Sequence, residues 1–230
     1  MTKSPNTFEF TDPDFVGKYT EQVVRGVPGY RDIHRMAAVL IGEHAPPDAK
    51  ILVLGAGGGL ETLALAQAHS GWSFVAVDPA AAMLDLAAKT LGATASRVQM
   101  HQGYIDDAPL GPFDGATSLL TMHFLAPEER RRTAAEVRRR LAPGAPFVVA
   151  HLSFPKRDDA ERDLWMRRYY TYLVAAGADP AVAEERRTKV IADIPVLTPE
   201  QDRTVLQDAG FTDVTEFYSA FTFRGWVGYA

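Results

Sequence analysis

Residues 51–66 read ILVLGAGGGLETLALA, and a few residues later the chain continues Phe74-Val75-Ala76-Val77-Asp78. Ile51 to Leu54 is a short apolar run of the kind that fills a buried strand. Gly55, Gly57, Gly58 and Gly59 then allow a tight turn and the close approach of a ligand to the backbone. Leu60 to Ala68 is rich in alanine and leucine and reads as a helix. Phe74 to Val77 reads as a second strand, with Asp78 at its carboxyl end. An acid about 20 residues past a glycine turn is placed to accept hydrogen bonds from ribose hydroxyls. The pattern implies a nucleoside-containing ligand held at the switch point of a doubly wound sheet.

The glycine turn alone does not name that ligand. Its sixth position is Leu60, where a dinucleotide fingerprint has glycine, and no lysine follows as in a phosphate-binding loop. The downstream order says more. A helix is predicted from Ala80 to Leu91, a third strand from Val98 to Gly103, and a fourth from Phe113 to Leu120. Ala126 to Leu141 is a charged amphipathic helix, Ala142 to Ala145 a turn, and Phe147 to His151 a fifth strand. With the segments FDGATSLLTMHFL and RRRLAPGAPFVVA, this order resembles the class I S-adenosylmethionine-dependent methyltransferases over roughly residues 28–230. The resemblance implies a Rossmann-like, seven-stranded, mostly parallel sheet with an antiparallel C-terminal strand, and S-adenosylmethionine as cofactor.

Arg25-Gly26-Val27-Pro28-Gly29-Tyr30, LTMHFLAPEER and LQDAGF are similar to the carboxy-S-adenosylmethionine synthases of tRNA wobble-uridine modification. That likeness implies cofactor contacts by Tyr30, by Gly55, Ala56 and Gly57, and by Asp78 and Pro79. Other positions depart from the pattern. Val53 stands where an acid precedes the first glycine, Tyr104 where an aspartate lies beside adenine, and Leu119 where an asparagine ends strand four. Val205 stands where an arginine grips the extra carboxylate, with Arg203 two positions away.

Composition narrows the field. The chain has 230 residues, 47% hydrophobic, with a formal net charge of −5. That length suits one domain with a modest insertion, and the acidic balance argues against nucleic acid as a partner. Cysteine is absent, so disulfides, thiolate catalysis and cysteine-bound metal are excluded. The N-terminal stretch is polar and broken by proline, without a signal-peptide core, and no run of 18 apolar residues occurs. A cytoplasmic protein with no membrane partner is the expectation. Residues 1–47 form an N-terminal helical cap, with helices at Phe15 to Val24 and Tyr30 to Glu43, and residues 1–13 are expected to be loose or packed on a partner. Residues 48–151 are the cofactor-binding core, 152–195 a helical lid insertion, and 196–230 a final helix and two strands. Thr198 and Pro199 suit the start of that helix and Gly210 its end.

Methyl transfer from a sulfonium asks the protein to align reactants, exclude water and take a proton where the nucleophile carries one. The glycine turn brings backbone amides toward the cofactor. Tyr104 and Ile105 sit beside the expected adenine pocket; Tyr104 suits either stacking on the base or covering the sheet edge, and Asp106 and Asp107 suit either the adenine amine or solvent. Leu119 and Leu120 end strand four, where their backbone lines the methionine moiety. His123 and His151 follow strands four and five on the active-site side, and either is a candidate general base, since imidazole titrates near neutrality; a lone histidine is more often structural. No His/Asp/Glu cluster has metal-ligand spacing, so no metal is predicted. Trp165, Tyr169 and Tyr172 share one helical face of the insertion. That face suits a lid touching the acceptor, with Arg25 approaching from the cap, or a surface packed on the core or on a second copy in a homodimer. The arginines at 130–132 and 138–140 read as a solvated helix face. The leading expectation is methyl transfer to oxygen or nitrogen of a small-molecule acceptor. The alternatives are a cofactor-modifying enzyme of tRNA modification and a noncatalytic cofactor-binding regulator.

Overall fold

The computed structural model describes residues 9–230. The first eight residues, and with them most of the segment expected to be loose, lie outside the described residues. Seven strands form one sheet in the order β3-β2-β1-β4-β5-β7-β6. The strands are β1 (Lys50–Leu54), β2 (Ser73–Asp78), β3 (Val98–Gln102), β4 (Gly115–Leu119), β5 (Pro146–Leu152), β6 (Thr212–Ala220) and β7 (Phe223–Tyr229). The first five pair in parallel, and β7 runs antiparallel to both β5 and β6. This is the mostly parallel sheet with a reversed terminal strand that the sequence implied.

The helices are α1 (Pro13–Gly26), α2 (Tyr30–Gly42), α3 (Leu60–Ala68), α4 (Ala81–Leu91), α5 (Pro127–Arg140), α6 (Asp159–Ala175), α7 (Pro180–Asp193) and α8 (Pro199–Asp208). Strands buried on both faces read as continuous apolar runs, and β1 and β5 are such runs: residues 51–54 and all of β5 are buried. Two apolar layers cover the sheet. One joins α2, α3, α6 and the insertion through Ile33, Ile41, Leu65, Met166 and Leu173; the other joins α5 and α8 through Val137, Leu206 and Trp226. Thr198 and Gln201 form a reciprocal capping box at the start of α8, with Pro199 at its first position. Gly210 follows with φ 93°, as a helix-ending glycine requires.

One expectation is corrected here. The arginine runs of α5 are not a uniformly solvated face: Arg130 and Arg140 are 1% and 0% exposed. They lie on the same helical face as Thr133, Ala134 and Val137, which are also buried. Arg131, Arg132 and Arg139 do face outward and pair with acids three residues back.

Candidate functional site

The parallel strands β1, β2 and β4 end together, and the glycine turn crosses their carboxyl edge. Gly55, Gly57 and Gly59 have φ of 75°, 49° and 82°, the left-handed region open to glycine. Space matters as much as dihedral freedom. A Cβ on Gly55 would lie 2.0 Å from Thr121 Oγ1, and one on Gly59 would lie 2.9 Å from the Ala87 backbone of α4.

The turn is tied down from behind. Gly55 and Ala56 both donate backbone N–H groups to the Val77 carbonyl, and Gly59 donates to Ala56. Gly57 donates to Asp78 Oδ2 at 2.9 Å, while Ala80 donates to Asp78 Oδ1 at 2.9 Å. These four turn amides therefore have partners within the protein. The sequence reading had backbone amides of the turn approach the cofactor; these four are instead bonded within the protein, and the turn offers a ligand open space. Asp78 is nearly buried, which raises its pKa, and the two amides offset part of that rise. Each of its oxygens keeps a second lone pair for a ribose hydroxyl.

A narrow cleft of about 20 Å³ lies on the turn, bounded by Gly55, Ala56, Gly58, Glu61, Leu119 and Leu120, with Tyr19, Tyr30 and His34 closing it from the cap. Leu120 adopts φ 60°, unusual for a branched residue, and its N–H donates to the Ala150 carbonyl. Tyr30 begins α2 directly after Gly29 at φ 64°, and its ring meets His34 edge-on at 4.5 Å. Burial lowers the His34 pKa to about 4, so its imidazole is neutral. Tyr19 reaches over the turn from α1: its hydroxyl is 3.3 Å from where a Gly57 Cβ would sit. Phe10 packs edge-on against both Tyr19 and Phe124, which roofs this end of the cleft. Burial pushes the Tyr19 phenol up, and Asp78 and Glu61 add to the shift.

Glu61 is in the first turn of α3 and 6% exposed. Burial raises its pKa to about 8, although the Thr117 hydroxyl and the Leu119 backbone favour the ionised form. The sequence reading did not single out Tyr19, His34 or Glu61. Only Glu61 left a signal, as the one acid in an otherwise alanine- and leucine-rich helix opening on the glycine turn.

Other predicted residues sit around this centre. Pro79 follows Asp78 into α4. Ile105 is buried and Tyr104 is half exposed just past β3, where Gly103 donates to the Asp78 carbonyl. Asp106 is held by Arg132 in a two-bond ion pair, and that bond lowers its pKa. His123 and His151 are 5% and 2% exposed, behind the strand ends. The Leu152 N–H reaches toward His123 Nδ1 at 3.4 Å. His151 Nε2 is 3.1 Å from Asp202 Oδ1, which also accepts from Arg130 at 2.5 Å. Arg130 adds bonds to the Leu125 and Pro195 carbonyls. Burial works to raise the Asp202 pKa, but His151 and Arg130 bring it below the usual range. His123 is held neutral by burial first, then by His151 and Arg130. These groups join α5, α8 and β5 in a buried network.

None of Arg25, Trp165 and Tyr169 bounds the cleft. Arg25 pairs with Glu21 on the surface of α1. Trp165 is flanked by the guanidinium groups of Arg168 and Arg224. Tyr169 is buried against Phe223 of β7. Arg203 is exposed on α8, whose neighbour Asp202 points inward to Arg130.

Residues 51–144 match a family model described as a methyltransferase domain. A carboxy-S-adenosyl-L-methionine synthase of Pseudomonas putida (strain GB-1) is 27% identical over 223 residues, covering 93% of this chain and 90% of that protein. The protein of the same description from Ectopseudomonas mendocina (strain ymp) is 28% identical over 224 residues, with the same coverage of each. Among solved structures, an O-methyltransferase family protein from Burkholderia thailandensis superposes with a TM-score of 0.67 at 14% identity, covering 96% of this chain and 61% of that one. Human N-acetylserotonin methyltransferase in complex with S-adenosylmethionine gives 0.59 at 13% identity, covering 95% of this chain and 59% of that one. At such identities the solved structures speak for the fold. Three features suit S-adenosylmethionine as cofactor: a turn that a Cβ would fill, an acid at the end of β2, and a second buried acid, Glu61, in the cleft wall.

Proposed function

We infer that this class I S-adenosylmethionine-dependent methyltransferase moves the methyl group to an oxygen or nitrogen of a small-molecule acceptor. The observation that carries the reading is the cleft on the glycine turn at the carboxyl ends of β1 and β4, walled by Glu61 and closed by Tyr19 and Tyr30, with Asp78 at the end of β2 bonded to the turn. The cofactor supplies a methyl already activated by its sulfonium, so the protein's task is placement and dryness. Asp78 and Pro79 hold the ribose end, Tyr104 and Ile105 border the base, and the turn with Leu119 and Leu120 borders the methionine end. Tyr19 and Phe10 exclude water above the turn. The acceptor approaches over the cap and the α6 side, where Arg25 and Trp165 present exposed or half-exposed surface.

A second reading has its own support. The curated relatives that span nearly the whole chain are named carboxy-S-adenosyl-L-methionine synthases. Against it, Val205 replaces the arginine expected to hold the extra carboxylate, and Arg203 faces solvent from α8. An unpaired carboxylate entering a nearly dry site loses hydration without return. The deciding experiment supplies S-adenosylmethionine carrying a heavy methyl to a panel of hydroxyl and amine acceptors, and in parallel supplies prephenate. Heavy methyl on an acceptor supports the first reading. A carboxylated cofactor in the prephenate arm overturns it.

A further inference from the structure

We propose that Glu61 is the counter-ion for the α-ammonium group of the cofactor's methionine moiety, taking over at the start of α3 the charge that Val53 does not provide at the end of β1. The proposal rests on the cofactor reading of the cleft.

The argument begins with cost. A carboxyl 6% exposed is expensive to ionise unless something pairs with it. Glu61 has no salt bridge among the described residues, and its Oε1 has no hydrogen-bond partner. The Thr117 hydroxyl and the Leu119 backbone on β4 favour its ionised form, but neither carries a charge that could pair with it. The side chain is not sealed in the apolar core, because it forms part of the cleft wall with Gly55, Ala56, Leu119 and Leu120. A buried acid in the wall of a cleft, with no cation paired to it among the described residues, calls for a cation on the ligand.

Among the described residues, the groups that line the cleft around Glu61 are neutral or acidic. Tyr19 comes from α1, Tyr30 and His34 from α2, Thr117 from β4 and Asp78 from the end of β2. His34 is neutral because burial lowers its pKa to about 4, and both tyrosines are held protonated by burial. None of them can neutralise the carboxylate. A primary ammonium can: it donates three hydrogen bonds, enough for Glu61 Oε1 with two to spare for carbonyls of the turn or β4. The N-terminus of α3 supports the ionised form as well.

The chemistry has a visible signature. The Glu61 pKa of about 8 means the carboxyl is mostly protonated in the free protein at neutral pH. Pairing with an ammonium requires the carboxylate, so the proton leaves to solvent as the ligand binds. The balance is one proton released for each ion pair formed.

The test uses calorimetry with two probes, S-adenosylhomocysteine and its analogue in which the amine is replaced by hydrogen. Neither carries the sulfonium charge. Expected for the wild type at pH 7 is the release of about one proton with the first ligand and none with the second, read from buffers of differing ionisation enthalpy. Expected for Glu61→Gln is at least a tenfold loss of affinity for S-adenosylhomocysteine, no change for the deaminated analogue, and no proton release. Equal loss for both ligands, or no loss for either, overturns the proposal. So does a loss seen with S-adenosylmethionine alone, which would assign the carboxylate to the sulfonium. If Glu61→Gln fails to fold, the proton count on the wild type decides: release with both ligands or with neither overturns the assignment. A wild type that binds neither probe refutes the cofactor site itself, an outcome distinct from binding without amine discrimination.

Discussion

The backbone N–H of Gly57 donates to Asp78 Oδ2 at 2.9 Å, so the acid proposed to hold the ribose is also the strut that shapes the glycine turn. The Ala80 N–H occupies its other oxygen. Asp78 thus supports β2, the turn and the entry to α4 at once. Its substitution cannot be a clean probe of ligand contact.

Asp78→Ala is expected to lower the stability of the free protein by about 1–3 kcal/mol, because two amides lose their partner. It should also reduce the melting-temperature gain given by S-adenosylmethionine and S-adenosylhomocysteine, which stabilise by binding the folded state. Asp78→Asn, with one acceptor oxygen, should fall between. Nicotinamide and flavin cofactors should give no gain. Melting curves with and without ligand check both variants against the wild type, and an Asp78→Ala protein with undiminished ligand gain would remove Asp78 from the ribose site.

Glu61 makes stability depend on pH. Its folded pKa of about 8 lies above the ordinary 4.5, so the folded state binds the proton more tightly than the unfolded one. Its contribution is fully present below pH 4.5 and is lost as pH rises through 8. Glu61→Gln should therefore match the wild type near pH 5 and become the more stable protein by pH 8 to 9. Melting temperatures across that range read the crossover; parallel curves would show that Glu61 does not titrate there.

Tyr19 roofs the turn, which predicts a kinetic role. Tyr19→Ala should speed dissociation of S-adenosylhomocysteine by about tenfold or more, since most affinity changes appear in the off-rate. Tyr19→Phe keeps the ring and should change it little. Stopped-flow displacement distinguishes the two, and identical off-rates in Tyr19→Ala and wild type would exclude the roof.

The network of Arg130, Asp202 and His151 should behave as structure. Asp202→Asn leaves Arg130 buried without its charge partner and should cost about 3–5 kcal/mol. His151→Asn should lower the melting temperature while leaving the single-turnover rate per folded site within a few-fold. A rate loss of a hundredfold or more in folded His151→Asn would restore it as a general base.

Tyr169 and Trp165 now separate. Tyr169→Ala removes a buried ring packed on Phe223 and should cost about 3–5 kcal/mol. Trp165→Ala loses cation–π contacts with Arg168 and Arg224, worth about 0.5–1 kcal/mol each at a partly exposed site. Only Trp165→Ala is expected to alter the apparent affinity for the acceptor. Melting temperature, sedimentation and acceptor kinetics on both variants decide it.

The order of strands and helices was legible because each element carries its own period and its own punctuation, as at Thr198 and Gly210. The acid after β2 was legible for the same reason, since its distance from the glycines is a property of one strand–helix–strand unit. What lay beyond reach was depth. Arg130 and Arg140 sit among other arginines, and nothing local distinguishes an outward guanidinium from one that crosses to Asp202. The spacing of 130, 133, 134 and 137 was the available clue, and charge masked it. Tyr19 joins the cleft only through the packing of α1, a contact far in sequence from the turn it covers.

The position of β7 has a consequence for how the molecule comes into being. This strand lies between β5 and β6, and Trp226 within it is fully buried. The sheet is therefore finished from the inside by a strand that follows its six partners in the chain. On the ribosome, β5 keeps an open edge through the emergence of α6, α7, α8 and β6. Nascent chains of this protein pass through a stage with a long apolar edge awaiting its partner, the stage at which wrong pairing and aggregation compete with folding.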